Sequence, residues 1–221
     1  MDYTFHFGVV LNQWPLLLWG LRRTLELSVL SMVFGLAIGV LGAIGKVFGP
    51  RPVRAVVIGY VELIRNTPLL IQLYFIFFTL PFIGLRLSSD TAAIVALSIH
   101  LGAYATEIVR AGIEFIPPGQ IEAGRSLGLN GRQIIRFVVL KPAIRAVYPA
   151  LCGQFVLQLL GSSIVSAIAA EELTAIANNL VMQTFRNFEI YIVVAVIYFV
   201  VVQAFILLFR LGGRYLFRWK V

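Results

Sequence analysis

The strongest constraint on this chain is a series of five long apolar stretches, each of a length that crosses a membrane. They run Leu25–Ile44, Val53–Phe82, Ala92–Ile113, Tyr148–Ala169 and Ile190–Leu211. At about 1.5 Å per residue, helices of these lengths cover the ~30 Å of bilayer hydrocarbon. Hydrophobic residues make up 60% of the chain and mean hydropathy is +0.92, well above soluble domains. We therefore predict an all-α integral membrane protein with five transmembrane helices in one domain, residues 1–221.

Composition also excludes several classes of function. The net charge is +8, but basic residues of multispanning proteins gather at cytoplasmic helix ends, so no nucleic-acid partner is expected. Cys152 is the only cysteine, and His6 and His100 are the only histidines. A disulfide framework, a metal site and a Cys/His catalytic pair therefore lack their parts, and the chain is not expected to be an enzyme.

The distribution of Lys and Arg predicts the orientation. With the N-terminus outside and the C-terminus cytoplasmic, four arginines lie in outer segments and thirteen basic residues in inner ones, as the positive-inside rule requires. The outer four are Arg22, Arg23, Arg86 and Arg186, and Arg65 lies within a span; the inner thirteen are Lys46, Arg51, Arg54, Arg110, Arg125, Arg132, Arg136, Lys141, Arg145, Arg210, Arg214, Arg218 and Lys220.

The residues before the first span are predicted to form an outer anchor. They carry no positively charged n-region and no small-residue cleavage site, so no removable signal peptide is expected. Trp14 and Trp19 suit the headgroup layer, and Pro15 can begin a short helix. We expect Asn12–Gly20 to lie along the outer interface.

Glycines recur on one side of the first span. Gly35, Gly39, Gly42 and Gly45 lie three or four residues apart, a spacing that permits close helix contact. Either ordinary close packing or a mobile gate interface explains the pattern, and no site is assigned there.

The second span carries ionisable residues near the bilayer midplane, where such groups pair or face a cavity. They are Glu62 and Arg65, followed by Asn66 and Thr67-Pro68. The proline predicts a break in the helix. A break exposes the N–H groups of the outer half, with Thr67 as its cap, to a carboxylate, and Glu62 can meet an ammonium. We predict a zwitterion site; a Glu62–Arg65 salt bridge and a kink without ligand are the alternatives.

Polar residues in the third and fourth spans have two interpretations. Glu107 and Arg110 are read as structural, and His100 is either a hydrogen-bonded core residue or a ligand. A polar stripe in the fourth span lines a passage or supplies interhelical hydrogen bonds; it comprises Gln154, Gln158, Ser162 and Ser163.

The inner segment, residues 117–142, is polar and basic. It opens at Pro117-Pro118-Gly119, bends at Gly128 and restarts at Asn130, which stands three residues before Gln133 in a capping-box spacing. Two short helices should meet at an elbow. The apolar residues around it suit docking into a groove on a soluble partner; they are Leu127, Leu129, Ile134 and Ile135.

Four segments resemble the integral membrane permease subunits of ABC importers for polar amino acids. They are VELIRNTPLLIQLYF, LSIHLGAYATEIVRAGI, IPPGQIEAGRSLGLNGRQIIRFVVLKP and FEIYIVVAVIYFVV, in the same order and on the same sides. The resemblance implies the type I importer permease fold, and makes the inner segment similar to the EAA loop, a helical elbow that contacts the ATPase. The implied ATPase-coupling residues are Glu122, Ala123, Gly124, Leu127, Gly128 and Leu129.

The same resemblance implies partners and a mechanism. A second permease subunit, identical or homologous, would complete the passage in a bacterial cytoplasmic membrane. Two cytoplasmic ABC ATPase subunits would hold ATP and Mg, since this chain has no phosphate-binding loop and binds no cofactor itself. A periplasmic or tethered binding protein would deliver an amino acid for alternating access. The competing interpretation is a self-contained secondary carrier or channel for a small zwitterion; it needs no docking elbow, and such carriers usually have internal repeats.

Three departures from the family pattern bear on function. Gly124 stands where alanine is usual, and Lys141-Pro142 puts the proline one place later than the usual Leu-Pro. Members for cationic amino acids tend to have acidic residues at the positions of Gln154 and Leu160-Gly161-Ser162, which this chain lacks. The substrate is then not strongly cationic, or a partner subunit supplies the acids.

Overall fold

The computed structural model describes residues 3–217, and the regular structure in that range is helical. The α-helices are α1 Phe7–Leu11, α2 Trp14–Phe48, α3 Arg51–Arg65, α4 Leu69–Tyr74, α5 Ser89–Glu114, α6 Pro118–Ser126, α7 Gly131–Gln133, α8 Leu140–Gly161, α9 Leu173–Thr184 and α10 Asn187–Leu216. Wide π-helical turns cover Phe75–Thr79 and Ile134–Val139, and 3₁₀ helices cover Leu80–Ile83 and Ser162–Ile168.

The predicted spans are present with different bounds. Within the described range, four continuous helical runs are long and apolar enough to cross a membrane: α2, α5, Gly131–Ile168 and α10. The second predicted span is a bent pair, α3 followed by Leu69–Ile83 at 110°, which makes a fifth crossing if counted as one. The all-α membrane class is therefore confirmed, but the second span is not a straight rod.

The predicted outer anchor is wrong as a separate helix. Pro15 begins a helix, but that helix is α2 itself, which continues without interruption to Phe48. Its first turns are held by the protein: Leu17 and Gly20 are buried, and a Cβ on Gly20 would lie 3.1 Å from Ile176 of α9. One side of this segment therefore packs against α9, while Trp14 and Trp19 remain exposed, and their place at the headgroup layer stays a prediction.

The long contact between α2 and α5 forms the centre of the fold. It is close because glycines of α2 face α5: a Cβ on Gly35 would come within 2.8 Å of Leu101, and one on Gly39 would overlap Ala105. Many residues of α5 are consequently buried, among them Ala92, Ala96 and Leu97. The glycine pattern is thus explained by ordinary close packing.

The elbow and the fourth span are one continuous structure, which corrects the expectation of two short helices. After Asn130 the helix runs from Gly131 to Ile168 through Pro142. The π turn Ile134–Val139 ends three residues before that proline. A π turn takes in one more residue than an α turn, and proline cannot donate to the carbonyl four residues back. The wide turn gives a physical reason why the late proline does not break the helix.

Candidate functional site

The break in the second span falls where the sequence predicts it. α3 ends at Arg65, and Pro68 precedes α4 with extended backbone at ψ 138°. Proline disfavours helical geometry in the residue before it and lacks the N–H that would continue α3. The two halves therefore meet at an angle of 110° instead of continuing in line.

The prediction that Thr67 caps the outer half is wrong. α4 has no side-chain cap, and its flanking position is occupied by Pro68. The Thr67 hydroxyl instead donates to the carbonyl of Leu63 at 2.8 Å, so it closes the end of α3. A hydroxyl directed back into the preceding turn is a common alternative to an N-cap. The exposed N–H groups at the start of α4 therefore have no protein acceptor from Thr67.

Gln72 holds the broken segment together, and sequence reasoning missed it. The two N–H groups of its Nε2 are shared among three acceptors, the carbonyls of Ile64 at 2.7 Å and Thr67 at 3.0 Å and the Thr67 hydroxyl at 2.9 Å. Its Oε1 lies 3.1 Å from Nδ1 of His100 on α5. The side chain is buried, so these partners replace water. The only sequence signal was a glutamine within an apolar run, one turn after the proline.

Glu62 and Arg65 do not neutralise each other. Both are exposed, and the ion pairs among residues 3–217 do not include a Glu62–Arg65 pair. The Arg65 guanidinium lies over the ring of Tyr104, 5.2 Å from its centroid, in a cation–π contact. The Glu62 carboxylate makes no hydrogen bond within the described chain, so it is open to a cationic group of a ligand. Asn66 is exposed beside it.

The polar stripe of the fourth span is divided between two environments. Gln158 is buried and its Nε2 donates to Ser31 Oγ at 3.1 Å and to the Leu97 carbonyl at 2.9 Å. Ser162 is buried and donates to the Leu159 carbonyl at 2.6 Å. Gln158 therefore makes the interhelical hydrogen bonds that the second interpretation expects, to α2 and α5, whereas Ser162 bonds within its own helical run. Both are buried and do not line open space.

The other two residues of the stripe remain accessible. Gln154 and Ser163 are partly exposed, and the Ser163 hydroxyl donates to the Leu160 carbonyl at 2.8 Å. They are the members of the stripe that remain predicted to face a passage.

The inner ends of α2 and α5 carry an ion-pair cluster. Lys46 Nζ lies 2.5 Å from Glu107, and Arg110 contacts both Glu107, at 3.0 Å, and Glu114, at 2.5 Å. The structural interpretation of Glu107 and Arg110 is thereby confirmed. His100 likewise has its protein partner in Gln72 and is a hydrogen-bonded residue of the interior.

A polar cleft of about 490 Å³ opens at the opposite end of the molecule. Arg23 pairs with Glu26 on α2, at 2.9 Å, and with Asp90 in the first turn of α5, so it ties α2 to the start of α5. The sequence indicated only that Arg22 and Arg23 lie outside. The cleft is lined by Trp19, Arg22, Arg23, Glu26, Ser88, Ser89, Asp90, Ala169 and Glu171.

Glu172 is a second group that the sequence did not reveal. It is fully buried and caps α9 by accepting from the Ala175 N–H at 2.8 Å. It also accepts from the hydroxyls of Tyr198 at 3.0 Å and Thr24 at 3.3 Å. Burial raises the pKa of this carboxyl. The residue joins α2, α9 and α10 by hydrogen bonds, so its role is to hold the outer end of the bundle.

The inner elbow has the geometry of an exposed docking element. α6 ends near Leu127, the chain turns at Gly128 with φ +79°, and Asn130 begins the next helix. The capping box is confirmed: Gln133 N–H donates to Asn130 Oδ1 at 3.0 Å, and Asn130 N–H donates to Gln133 Oε1 at 2.9 Å. The left-handed φ favours glycine at the turn.

The apolar residues of the elbow face two directions. Ile134 is buried and contacts the underside of α6 at Gly124, where a Cβ would lie 3.5 Å from it. Leu127 is 81% exposed and Ile135 58% exposed. Ile134 therefore packs against α6, whereas Leu127 and Ile135 are exposed apolar residues of the elbow, called the knob below. Glu122 and Ala123 are exposed as well. Such a knob fits a groove on another protein.

Comparisons with known proteins agree with this geometry. The family model described as "Binding-protein-dependent transport system inner membrane component" matches residues 35–218. The glutamine transport system permease protein GlnP of Escherichia coli strain K12 is 39% identical over 197 residues, covering 87% of this chain and 90% of that protein. The L-cystine transport system permease protein TcyB of Bacillus subtilis strain 168 is 36% identical, covering 85% and 81%.

Two solved structures share the fold. A chain from a crystal structure of an amino acid ABC transporter with histidines superposes with a TM-score of 0.89 at 39% identity, covering 96% of this chain and 99% of that one. A chain from the inward-facing MetNI methionine ABC transporter superposes with a TM-score of 0.75 at 25% identity, covering 93% and 98%. The fold is therefore that of ABC importer permease subunits.

Proposed function

This chain belongs to the family of binding-protein-dependent transport system inner membrane components, and we propose that it is the permease subunit of an ATP-driven importer for a polar, zwitterionic amino acid. The single observation that carries this proposal is the exposed elbow. The exposed apolar residues of the knob, Leu127 and Ile135, flank in sequence a turn that Gly128 and the Asn130 capping box fix. A docking element of this kind serves a subunit that is driven by a separate protein.

In the proposed mechanism, two permease subunits enclose one passage and two ATPase subunits each grip one elbow. ATP and Mg bind to those ATPase subunits, and closure of the ATPase dimer moves the elbows together and opens the passage outward. The continuous helical run Gly131–Ile168 supports this scheme, because it connects the elbow without a break to the segment that crosses the membrane. Hydrolysis then returns the passage to its inward-open form in the cytoplasmic membrane.

The proposed substrate contacts are at the broken span. Glu62 has no protein partner in the described chain and is exposed, as is Asn66, so the carboxylate is available for the ammonium of an amino acid. Arg65, held over Tyr104, carries a positive charge near the place where the substrate carboxylate would lie. Opposite charges one helical turn apart fit a zwitterion.

A neutral side chain is the proposed substrate feature. Gln154 and Leu160-Gly161-Ser162 provide no acid for a cationic side chain. Relatives named as glutamine and cystine permeases support an uncharged, polar amino acid of this kind. A binding protein is proposed to deliver it at the outer cleft, where Arg22, Asp90 and Glu171 supply charges of both signs.

The experiment is purification of the tagged chain from its native membrane, with mass spectrometry of the proteins that co-elute. We expect an ABC ATPase to be recovered with it. Gly128→Val should abolish that recovery, because a β-branched residue at φ +79° is strained by about 1–2 kcal/mol and displaces the knob.

Gly131→Ala is the matched control, since a Cβ there meets nothing within 4 Å and the φ is not left-handed. This variant should retain the ATPase. Recovery of the ATPase with Gly128→Val at the level of Gly131→Ala, or substrate uptake by the isolated chain without any ATPase, would favour the secondary carrier instead.

A further inference from the structure

An apolar groove of about 440 Å³ runs between α8 and α10 on the outside of the helical bundle. It begins near Tyr148 and extends for about two turns along both helices. It is lined by Tyr148, Pro149, Cys152, Gly153, Val156, Leu157, Ile206, Phe209, Arg210 and Gly213. The lining side chains are apolar except at one end, where Arg210 is exposed.

The groove is kept open by the residues that form it. The Tyr148 hydroxyl donates to the Phe209 carbonyl at 2.7 Å and braces α8 against α10. Gly153 leaves a gap: a Cβ built there meets no atom within 4 Å. Glycine inside a helix is less stable than alanine, and packing within the subunit does not require glycine at this position, because a Cβ would have room.

Charge distinguishes the two ends of the groove. The end towards Leu157 and Ile206 is apolar, whereas Arg210, and Arg214 one turn later, are exposed at the other end. Neither arginine takes part in the ion pairs found among residues 3–217. This contrasts with Arg110, which contacts two carboxylates at the inner end of α5. The groove is therefore apolar and ends at positive charges that no ion pair among residues 3–217 neutralises.

With the cytoplasmic C-terminus that the charge distribution predicts, Arg210 and Arg214 lie at the level of the inner leaflet's headgroups and the apolar end points to the bilayer centre. We propose that this groove binds an anionic glycerophospholipid of the cytoplasmic leaflet, with an acyl chain beside Gly153 and the phosphate at Arg210. Basic pockets between membrane helices on the cytoplasmic side suit such headgroups. The site is separate from the proposed substrate contacts at Glu62, and it does not depend on which substrate is carried.

The test uses the complete complex reconstituted in vesicles that contain phosphatidylglycerol or phosphatidylcholine with a diazirine in one acyl chain. After photolysis, mass spectrometry quantifies the lipid attached to the peptide that contains Cys152 and Gly153. One basic residue near the surface is worth about 1 kcal/mol, so we expect phosphatidylglycerol to label this peptide about fivefold more than phosphatidylcholine. Arg210→Gln should bring that ratio close to one.

Two further variants separate the groove from general contact with lipid. Gly153→Leu places a side chain in the open gap and should remove labelling by both lipids without impairing assembly. Gly59→Leu is its matched control, because a Cβ at Gly59 also meets nothing within 4 Å and the residue is exposed on α3; labelling at the groove should be unchanged. Arg51→Gln is the matched control for Arg210→Gln, because it removes a positive charge from the inner face at a residue that does not line the groove.

Three outcomes would overturn the proposal. Equal labelling by the two lipids in the unaltered protein would show that charge is not recognised. Unchanged labelling in Gly153→Leu would show that the acyl chain lies elsewhere. Attachment of Cys152 to a second copy of this chain by a short bifunctional thiol reagent would make the groove an interface between subunits.

Discussion

The amide oxygen of Gln72 lies 3.1 Å from Nδ1 of His100, and this contact joins the broken second span to the central helix α5. On its other side Gln72 satisfies two carbonyls and a hydroxyl that the break at Pro68 leaves open. One side chain thus compensates the cost of interrupting a helix within a membrane. Gln72 also fixes the positions of Glu62 and Arg65 relative to α5.

Replacement of Gln72 by leucine should destabilise the break. The carbonyls of Ile64 and Thr67 and the His100 nitrogen would lose a partner in a buried setting, which costs about 1–3 kcal/mol for each unsatisfied group. We expect a lower thermal unfolding midpoint of the purified complex. Gln203→Leu is the control, because Gln203 is exposed on α10; an equal loss in both variants would contradict the role of Gln72.

Glu62→Gln should weaken the response to substrate while leaving assembly intact. Glu62 is exposed, and its carboxylate takes part in none of the hydrogen bonds or ion pairs among residues 3–217, so its replacement should not disturb packing. Loss of one charge-assisted hydrogen bond of about 1.5–3 kcal/mol should raise the amino acid concentration for half-maximal ATPase stimulation about tenfold or more. Glu114→Gln, which removes a carboxylate that pairs with Arg110, should leave that concentration unchanged. An unaltered response in Glu62→Gln would refute the substrate contact.

Gly124→Ala should stabilise the elbow. A Cβ at Gly124 would lie 3.4 Å from Val138 and 3.5 Å from Ile134, which is ordinary van der Waals contact. Alanine in a helix is favoured over glycine by about 0.5–1 kcal/mol, so the free energy of unfolding should rise slightly and ATPase recovery should persist. Hydrogen exchange of α6 measures the effect, and faster exchange in the variant would contradict the geometry.

Gly39→Leu should prevent the helices α2 and α5 from closing. A side chain at Gly39 would overlap the backbone and Cβ of Ala105, and backbone atoms of two packed helices cannot move apart locally. We expect little folded protein on size-exclusion chromatography. Gly59→Leu, placed in open space on α3, should elute as the unaltered protein does; normal elution of both variants would be evidence against the tight α2–α5 contact.

The buried carboxyl of Glu172, which lies between the spans, should make stability depend on pH. Burial raises its pKa, so the folded chain holds this proton more tightly than the unfolded chain, where the pKa is about 4.3. The contribution of Glu172 to stability is then present at low pH and is lost as pH rises from about 4.3 through the raised folded value.

The measurement is the unfolding midpoint of the unaltered protein and of Glu172→Gln between pH 4 and 8. Glutamine is neutral throughout and keeps an oxygen for the Ala175 N–H. The midpoint of the unaltered protein should fall relative to the variant as pH rises. The contacting phenol, Tyr198, stays uncharged in this range. Parallel curves would show that Glu172 does not titrate.

Local signals in the sequence predicted the local structure well. Thr67-Pro68 interrupts the span because proline lacks an N–H, and Asn130 with Gln133 forms the predicted capping box. Thr67 was assigned to the wrong helix end because a threonine hydroxyl beside a break can serve either half. The elbow was predicted as two short helices because no sequence pattern revealed the π turn before Pro142.

By itself, the sequence determined that the chain is helical, spans a membrane and carries a polar elbow, because length, hydropathy and capping act along the chain. Only the tertiary structure decided which polar groups have their hydrogen bonds satisfied within the protein. Gln158 and Glu62 are both polar residues in apolar runs, yet Gln158 is buried against Ser31 and Glu62 is exposed. Helical periodicity gives the face of a residue, but the helix packed on that face determines whether its hydrogen bonds remain available to a ligand.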